Sequence, residues 1–379
     1  MMCMRNPSVT CLLCALITVV LLCSAGCLHA PGNIAGTLTG NAPTPDISPA
    51  APAPTGTSYV LVETLAPDTP AIPESPTCQP LVVPQETGDT IQENTFNFQY
   101  RSVPYSVTIP VNTSLYQAAR NSPNKNLNLS GTNDTAALYR QMMNDPAMDP
   151  FFNDLIRELS KDRYKGGNNL TDDEYLEMVT SFVQQIPAEN RTAGNPRYPV
   201  EVIADGKGTS DEKAMLLTGI LSRQGYDTAL LLFPGINRAG SGIGIRLATN
   251  HPSFRVFSDG RRDYLFIETS TTRLIGIYDD QIDTAPDPVV IPFGNGTLGY
   301  SHINFVMGIF ADLRTMENQL KMYDEEAGPA RQLTAYDYEA AVSYVNACEF
   351  VMSTNDRDAA YSAIRASQLS RHSACVTCG

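Results

Sequence analysis

A helix that is apolar on nearly every side leaves a chain few options, because other layers must enclose it. Residues 211–224 read as such a helix. The run Ala214-Met-Leu-Leu has no polar face, and Gly225 supplies the usual stop. Strand-like segments follow at Thr228–Phe233, Gly242–Leu247, Phe254–Phe257 and Tyr264–Glu268, and Asp259-Gly260 is a hairpin signal. This helix is therefore expected at the centre of the folded body.

The elements before it are amphipathic. Phe96, Phe98 and Tyr100 alternate, as do Tyr105, Val107 and Ile109, which predicts two strands from about Thr95 with Pro104 near their turn. Asp149-Pro150 caps and opens a helix on which Phe152, Ile156 and Leu159 share a face. Thr171 and Glu174 form a capping box. Behind it Tyr175, Met178, Val179, Phe182, Val183 and Ile186 recur at helical spacing until Pro187. After Ser301 the pattern is helical again, with Val306, Phe310, Leu313, Met316 and Leu320 as one stripe.

The first quarter of the chain reads differently. Arg5 precedes the apolar run Val9–Leu22, too short for a comfortable membrane span and typical of a signal segment. Ser24, Ala25 and Gly26 lead into Cys27, which resembles a lipoprotein processing box with Cys27 as the lipidated residue. An uncleaved anchor and an ordinary cleaved signal are the alternatives, and all three imply export. Residues 28–92 are rich in Pro, Ala, Thr and Gly, and no Lys or Arg occurs between Arg5 and Arg101. Such a stretch buries too little apolar surface to offset its ordering entropy, so it is expected to be an extended stalk. The expected organisation is a signal at 1–27, a linker at 28–92, a folded domain at 93–290 and a helical extension at 291–379. The net charge of −14 disfavours nucleic acid as a partner.

Two further features agree with export. Sequons occur at Asn112, Asn128, Asn133, Asn169, Asn190 and Asn295. With Cys27 carrying lipid, Cys78, Cys348, Cys375 and Cys378 remain as disulfide candidates, and four cysteines allow three pairings. His372, Cys375 and Cys378 with Cys348 also have zinc-ligand spacing, but the chain end of an exported protein favours disulfides, so no metal or cofactor is expected.

The stretch Gly206-Lys-Gly-Thr-Ser-Asp-Glu-Lys-Ala214 resembles the nucleophile motif of transglutaminase-like proteins, close to G-D-C-E-D-K-A. Phe182-Val-Gln, Arg197-Tyr-Pro-Val-Glu201 and the strands of residues 96–116 are similar to what precedes that motif in archaeal members. Tyr264-Leu-Phe-Ile-Glu-Thr-Ser270 is similar to the Y-x-Y-x-E-T-T strand that follows it. The resemblance covers residues 95–280. It implies an α+β fold with a papain/transglutaminase-like core, a helix packed on an antiparallel sheet, followed by the helical extension.

In such a site a thiol at a helix N-terminus has its pKa lowered by the helix dipole, a His pairs with it, and a carboxylate orients the His. Here the Cys position holds Ser210, whose hydroxyl needs a strong base in direct contact. Aligning Gly240-Ser-Gly-Ile-Gly-Ile245 with the family's H-M-A-V-G-V puts Gly240 at the His position. A second alignment places His251 there, through His251-Pro-Ser-Phe-Arg-Val-Phe-Ser-Asp-Gly260. Glu268 holds the third position under both. Ser210 also reads as a helix N-cap, and Ser210-Asp-Glu-Lys213 matches the S-x-x-K of serine acyltransferases without its companion motifs. The resemblance thus implies a membrane-tethered extracytoplasmic protein with no catalytic residues, binding peptide or glycan in its groove or acting as a scaffold. The alternative is an acyl hydrolase or peptidase using Ser210, His251 and Glu268.

Overall fold

The computed structural model describes residues 82–84, 90–123, 132–164, 169–190, 195–245, 255–294, 296–309, 311–312, 315 and 335–377. It begins with a hairpin of strands β1 (Ile91–Tyr100) and β2 (Val103–Asn112). The two turn residues, Arg101 and Ser102, have φ of 50° and 61°, the left-handed pair that a two-residue hairpin needs. Pro104 lies near the turn as expected, as the second residue of β2, opposite Gln99. Gln99 aims its own N–H and carbonyl outward at the Gln185 side chain, so the missing proline N–H costs no ladder bond. The inward face of the hairpin carries Phe98, Tyr100, Val107, Ile109 and Val111, all buried. Phe98 meets Phe182 edge-on, with ring centroids 5.5 Å apart.

Five helices follow: α1 (Thr113–Arg120), α2 (Thr132–Met143), α3 (Asp149–Arg163), α4 (Asp172–Gln185) and α5 (Pro199–Asp205). The Asn112 side chain caps α1 by accepting from the N–H groups of Ser114 and Leu115. Met148, and not Asp149, is the N-cap residue of α3, so Asp149 is its first helical residue. The Thr171–Glu174 capping box opens α4, and the helix stops at Gln185, before Pro187.

The next helix, α6 (Ser210–Arg223), carries the apolar run, and every residue from Glu212 to Leu221 is buried. At Gly219 an added Cβ would lie 2.4 Å from the Phe152 ring, so this glycine allows α3 to approach α6 closely.

Helix α6 packs on a five-stranded antiparallel sheet. Its strands are β3 (Thr228–Phe233), β4 (Arg238–Ile245), β5 (Phe257–Ser258), β6 (Asp263–Ile267) and β7 (Val289–Pro292), in the order β5-β6-β4-β3-β7. The fold is therefore a mixture of helices and antiparallel sheet, α+β. Side chains alternate strictly between the two faces. Leu230, Leu232, Ala239, Ile243, Leu265 and Ile267 join the main core with α6. Ala229, Leu231, Phe233, Tyr264 and Phe266 form a second core with Phe257, Tyr278 and Ile282. A short helix α7 (Asp280–Thr284) covers that second face. The chain closes with helices α8 (Ala335–Ser353) and α9 (Arg357–Thr377). No described helix is long and apolar enough to cross a membrane.

Candidate functional site

The N-terminus of α6 is built by a network of charges. Thr209 has the extended backbone of an N-cap, so Ser210 is the first helical residue and not the cap. Glu212 accepts from the Thr209 N–H at 3.0 Å, from the Arg197 N–H at 2.9 Å and from the Arg197 guanidinium at 2.9 and 3.2 Å. Arg197 also pairs with Glu189 at 2.6 Å and Asp205 at 2.8 Å. Burial alone pushes the Glu212 carboxyl up, but Arg197 and the backbone donors outweigh it and hold it below the usual range. Tyr139 donates to Asp211 at 2.8 Å. The helix start is thereby fixed from three directions.

Ser210 is half-buried at this point. Its carbonyl accepts from the Thr269 hydroxyl at 3.0 Å, which ties the helix start to the segment after β6. Among the described residues its own hydroxyl makes no hydrogen bond. One turn on, Lys213 is fully buried and donates to the carbonyls of Gln184 at 2.9 Å and Ile186 at 2.7 Å, capping the end of α4. Burial lowers its pKa from 10.5 to about 8, with Glu268 opposing. Gln184 reaches the same segment: its amide donates to the carbonyls of Glu268 at 2.8 Å and Arg273 at 2.9 Å. Ser210, Lys213, Gln184 and the backbone of residues 268–269 therefore share one neighbourhood.

Glu268 follows β6 and is wholly buried. One of its oxygens accepts from the N–H groups of Thr269 and Ser270, each at 2.9 Å, and from the Ser270 hydroxyl at 2.7 Å. The other pairs with Arg238. Arg238 is itself shared with Asp279, at 2.7 and 2.9 Å. Burial works against the Arg238 charge, and the carboxylates of Glu268 and Asp279 more than restore it. The side chain beside Glu268 is thus a permanent cation.

Gly240 sits on the other side of the sheet. In β4 it falls between Ala239 and Ser241, and Ser241 shares a hydrogen bond of 2.9 Å with Thr218 of α6. A Cβ at Gly240 would lie 2.2 Å from the Phe266 ring, in the second core. The register Ser241–Ile267, carried on past its last pair, sets Gly240 beside Glu268 and Ala239 beside Thr269, the residue that bonds Ser210. Ala239 is thus on the face toward α6 and Gly240, like Arg238, on the face toward the second core. His251 lies outside the described residues.

The remaining sequence candidates that the structure describes lie on other elements. Asn169 and Asn190 are exposed in loops, and the Asn112 amide oxygen is occupied in capping α1. Cys348 is buried on α8. Cys27, Cys78, Cys378, Asn128 and Asn295 lie outside the described residues, as do the side chains of Asn133 on α2 and of His372 and Cys375 on α9. No group of three or more His, Cys, Asp or Glu able to hold a metal occurs among the described residues. Arg238 and Asp279 had no signal in the sequence, because their partners lie about 30 to 40 residues away along the chain. Compared with known protein families, curated proteins and solved structures, the chain matches none.

Proposed function

We propose that this is a membrane-tethered protein of the outer cell face, built on a papain/transglutaminase-like core whose acyl-transfer site does not operate. It acts by binding or scaffolding at the cell envelope, with peptide or glycan as the class of ligand for its groove. Cys27 is the lipidated tether, and exposed sequons such as Asn169 and Asn190 carry glycans.

The observation that carries this reading is the pairing of Glu268 with Arg238. In an active triad the carboxylate orients an imidazole that takes and returns a proton. Here its free oxygen is given to a guanidinium, which stays protonated at any working pH and serves as no base. The hydroxyl of Ser210 gains little from the helix dipole alone. Lys213, one turn away, spends two of its donors on helix-end carbonyls.

The test is covalent labelling of the membrane-extracted full chain. A serine-directed fluorophosphonate should leave wild type and Ser210→Ala equally unlabelled. Ser210→Cys should react with iodoacetamide no faster than an ordinary exposed thiol. Labelling of wild type that Ser210→Ala abolishes would instead establish the hydrolase that uses Ser210, His251 and Glu268.

A further inference from the structure

A second charged cluster lies away from this site, where α4, the hairpin, residues 300–309 and α9 meet. Its centre is Glu177, a buried carboxylate on α4. It accepts from the hydroxyls of Tyr100 at 2.8 Å and Tyr300 at 2.9 Å, and faces Nδ1 of His302 at 3.0 Å. Arg357 of α9 stands 3.6 Å from it and Arg101 of the hairpin 4.0 Å. One turn earlier on α4, Asp173 accepts from the N–H and hydroxyl of Ser301 and faces Nε2 of His302 at 3.6 Å. Around the rim, Arg101 pairs with Glu174 at 2.6 Å and with Asp358 at 3.4 Å. Burial pushes the Glu177 carboxyl up, but His302, Tyr100 and Arg357 outweigh it and leave it below the usual carboxylate range.

The imidazole geometry is the unusual part. A neutral ring has one N–H and one lone pair. If Nδ1 carries the proton, the lone pair of Nε2 faces Asp173. If Nε2 carries it, the lone pair of Nδ1 faces Glu177. Either tautomer sets a lone pair toward a carboxylate, and only the doubly protonated ring hydrogen-bonds Glu177 and also turns an N–H to Asp173, at ion-pair distance. Asp173 and Glu177 are also an i, i+4 pair of like charge on one helix, which repel unless a cation lies between them. The neighbouring guanidinium groups reach Glu177, Arg357 at 3.6 Å and Arg101 at 4.0 Å, but among the described residues neither pairs with Asp173. Nε and Nη2 of Arg101 and Nε of Arg357 are buried without hydrogen-bond partners, and their carboxylates stand at ion-pair distance.

The same residues hold the C-terminal helices against the body. Phe305, one turn after His302, packs on Tyr361 of α9 with centroids 5.3 Å apart and lies under the Arg357 guanidinium. Asn355, just before α9, donates to the Gln99 carbonyl at 2.7 Å. Residues 300–309 are thus a strap between α4 and α9, and His302 is its contact with α4.

We propose that His302 is a proton-operated clasp: when doubly protonated it bridges Asp173 and Glu177 and fastens the 300–309 strap, and with it α9, to the body. Losing that proton releases one of the two bridges and loosens the strap. An exported protein meets changes of external pH directly, so the clasp makes the docking of the C-terminal helices responsive to acidity.

Hydrogen–deuterium exchange on the full chain tests this, with rates corrected for the intrinsic pH dependence of exchange. Amides of residues 303–309 and α9 should be up to roughly fivefold more protected at pH about 5.5 than at about 8, the scale of one partly exposed ion pair. Amides of α6 should show no such change. His302→Gln, which can donate to Glu177 but cannot gain a proton, should abolish the difference. If that variant does not fold, Asp173→Asn removes the second carboxylate charge and should shrink the difference in the same way. Equal protection at the two pH values in wild type overturns the clasp, as does a pH difference that survives both substitutions.

Discussion

The two faces of strand β4 differ in a way that decides where a catalytic group can stand. The face toward α6 carries Ala239, Ser241 and Ile243, which mesh with a helix whose start is pinned by Arg197 and Glu212. The opposite face carries Gly240, Gly242 and Gly244, and the aromatic core of Phe233, Phe257, Tyr264, Phe266 and Tyr278 lies against it. The glycines bring aromatic rings onto the backbone, whereas the helix face keeps small side chains under a helix terminus. A residue intended to meet Ser210 belongs on the helix face. Gly240 is on the other one, together with Arg238, and the β4–β6 register carried one residue on sets Gly240 beside Glu268. Neither Gly240 nor Ala239 carries a titratable group, and the proposed inactive reading rests on that and on the Arg238–Glu268 pair.

The largest effect expected from this comparison is at Gly240 itself. Any Cβ there would meet the Phe266 ring at 2.2 Å and the Ile267 carbonyl oxygen at 2.8 Å. The ring can turn, but the backbone oxygen cannot. Gly240→His should lower the unfolding free energy by at least about 3 kcal/mol in urea titration, the upper range for overpacking. Adding Phe266→Ala to Gly240→Ala should recover part of the loss and leave the clash with the oxygen. Tolerance of Gly240→His with full stability would mean that Gly240 does face the helix, and the two-face description would fall.

The glycine pattern of β4 shows what was legible. Where side chains alternate in size, as at Phe96–Tyr100 or in the capping box of α4, the reading and the structure agree. In Gly240-Ser-Gly-Ile-Gly-Ile245 every second residue has no side chain, so the period-two pattern that assigns faces is nearly blank. The strand began earlier than expected, at Arg238, because polar Arg238 looked like loop until its buried partners were seen. Helices α1, α2 and α5 and edge strand β7 were not expected, and residues 113–116, read with the strands, open α1. α2 has a weak pattern, and β7 is only four residues long. The central burial of α6 was the clearest feature, since an all-round apolar helix has one physical solution. What it could not reveal was its buried cation. Lys213 in an apolar run looks like a charge on its way to solvent, and only the ends of α4 and the 268–273 segment give it partners.

Lys213 supplies the next test, of intermediate size. Its pKa falls from 10.5 to about 8 on folding because the charged amine is desolvated. Between those values the unfolded chain binds the proton and the folded chain does not, so stability rises with pH across that window. The contribution is fully present above the unfolded value and is lost as pH falls through about 8. Its full span is about 3 kcal/mol. The clean measurement is the difference between wild type and Lys213→Met, since tyrosines and other shared groups cancel. Wild type should gain on the variant by up to about 3 kcal/mol between pH 7 and 10. A flat difference would mean that Lys213 reaches water, and that the helix-facing side of the sheet is less closed than the aromatic side.

The smallest expected effect separates a capping role for Ser210 from a merely positional one. A Ser at the N-cap is worth about 1 kcal/mol through its side chain. Here Thr209 has the extended backbone of the cap and Ser210 is already helical, with a hydroxyl that bonds no described residue. Its contact with the segment after β6 runs through its carbonyl, which survives any side-chain change. Ser210→Ala should therefore shift stability by less than about 0.5 kcal/mol, while Thr209→Ala costs about 1 kcal/mol. Thermal unfolding of the two variants side by side reads the contrast. A larger loss at Ser210 than at Thr209 would show that the hydroxyl has a partner after all. The hydrolase reading that uses Ser210, His251 and Glu268 would then gain on the inactive one.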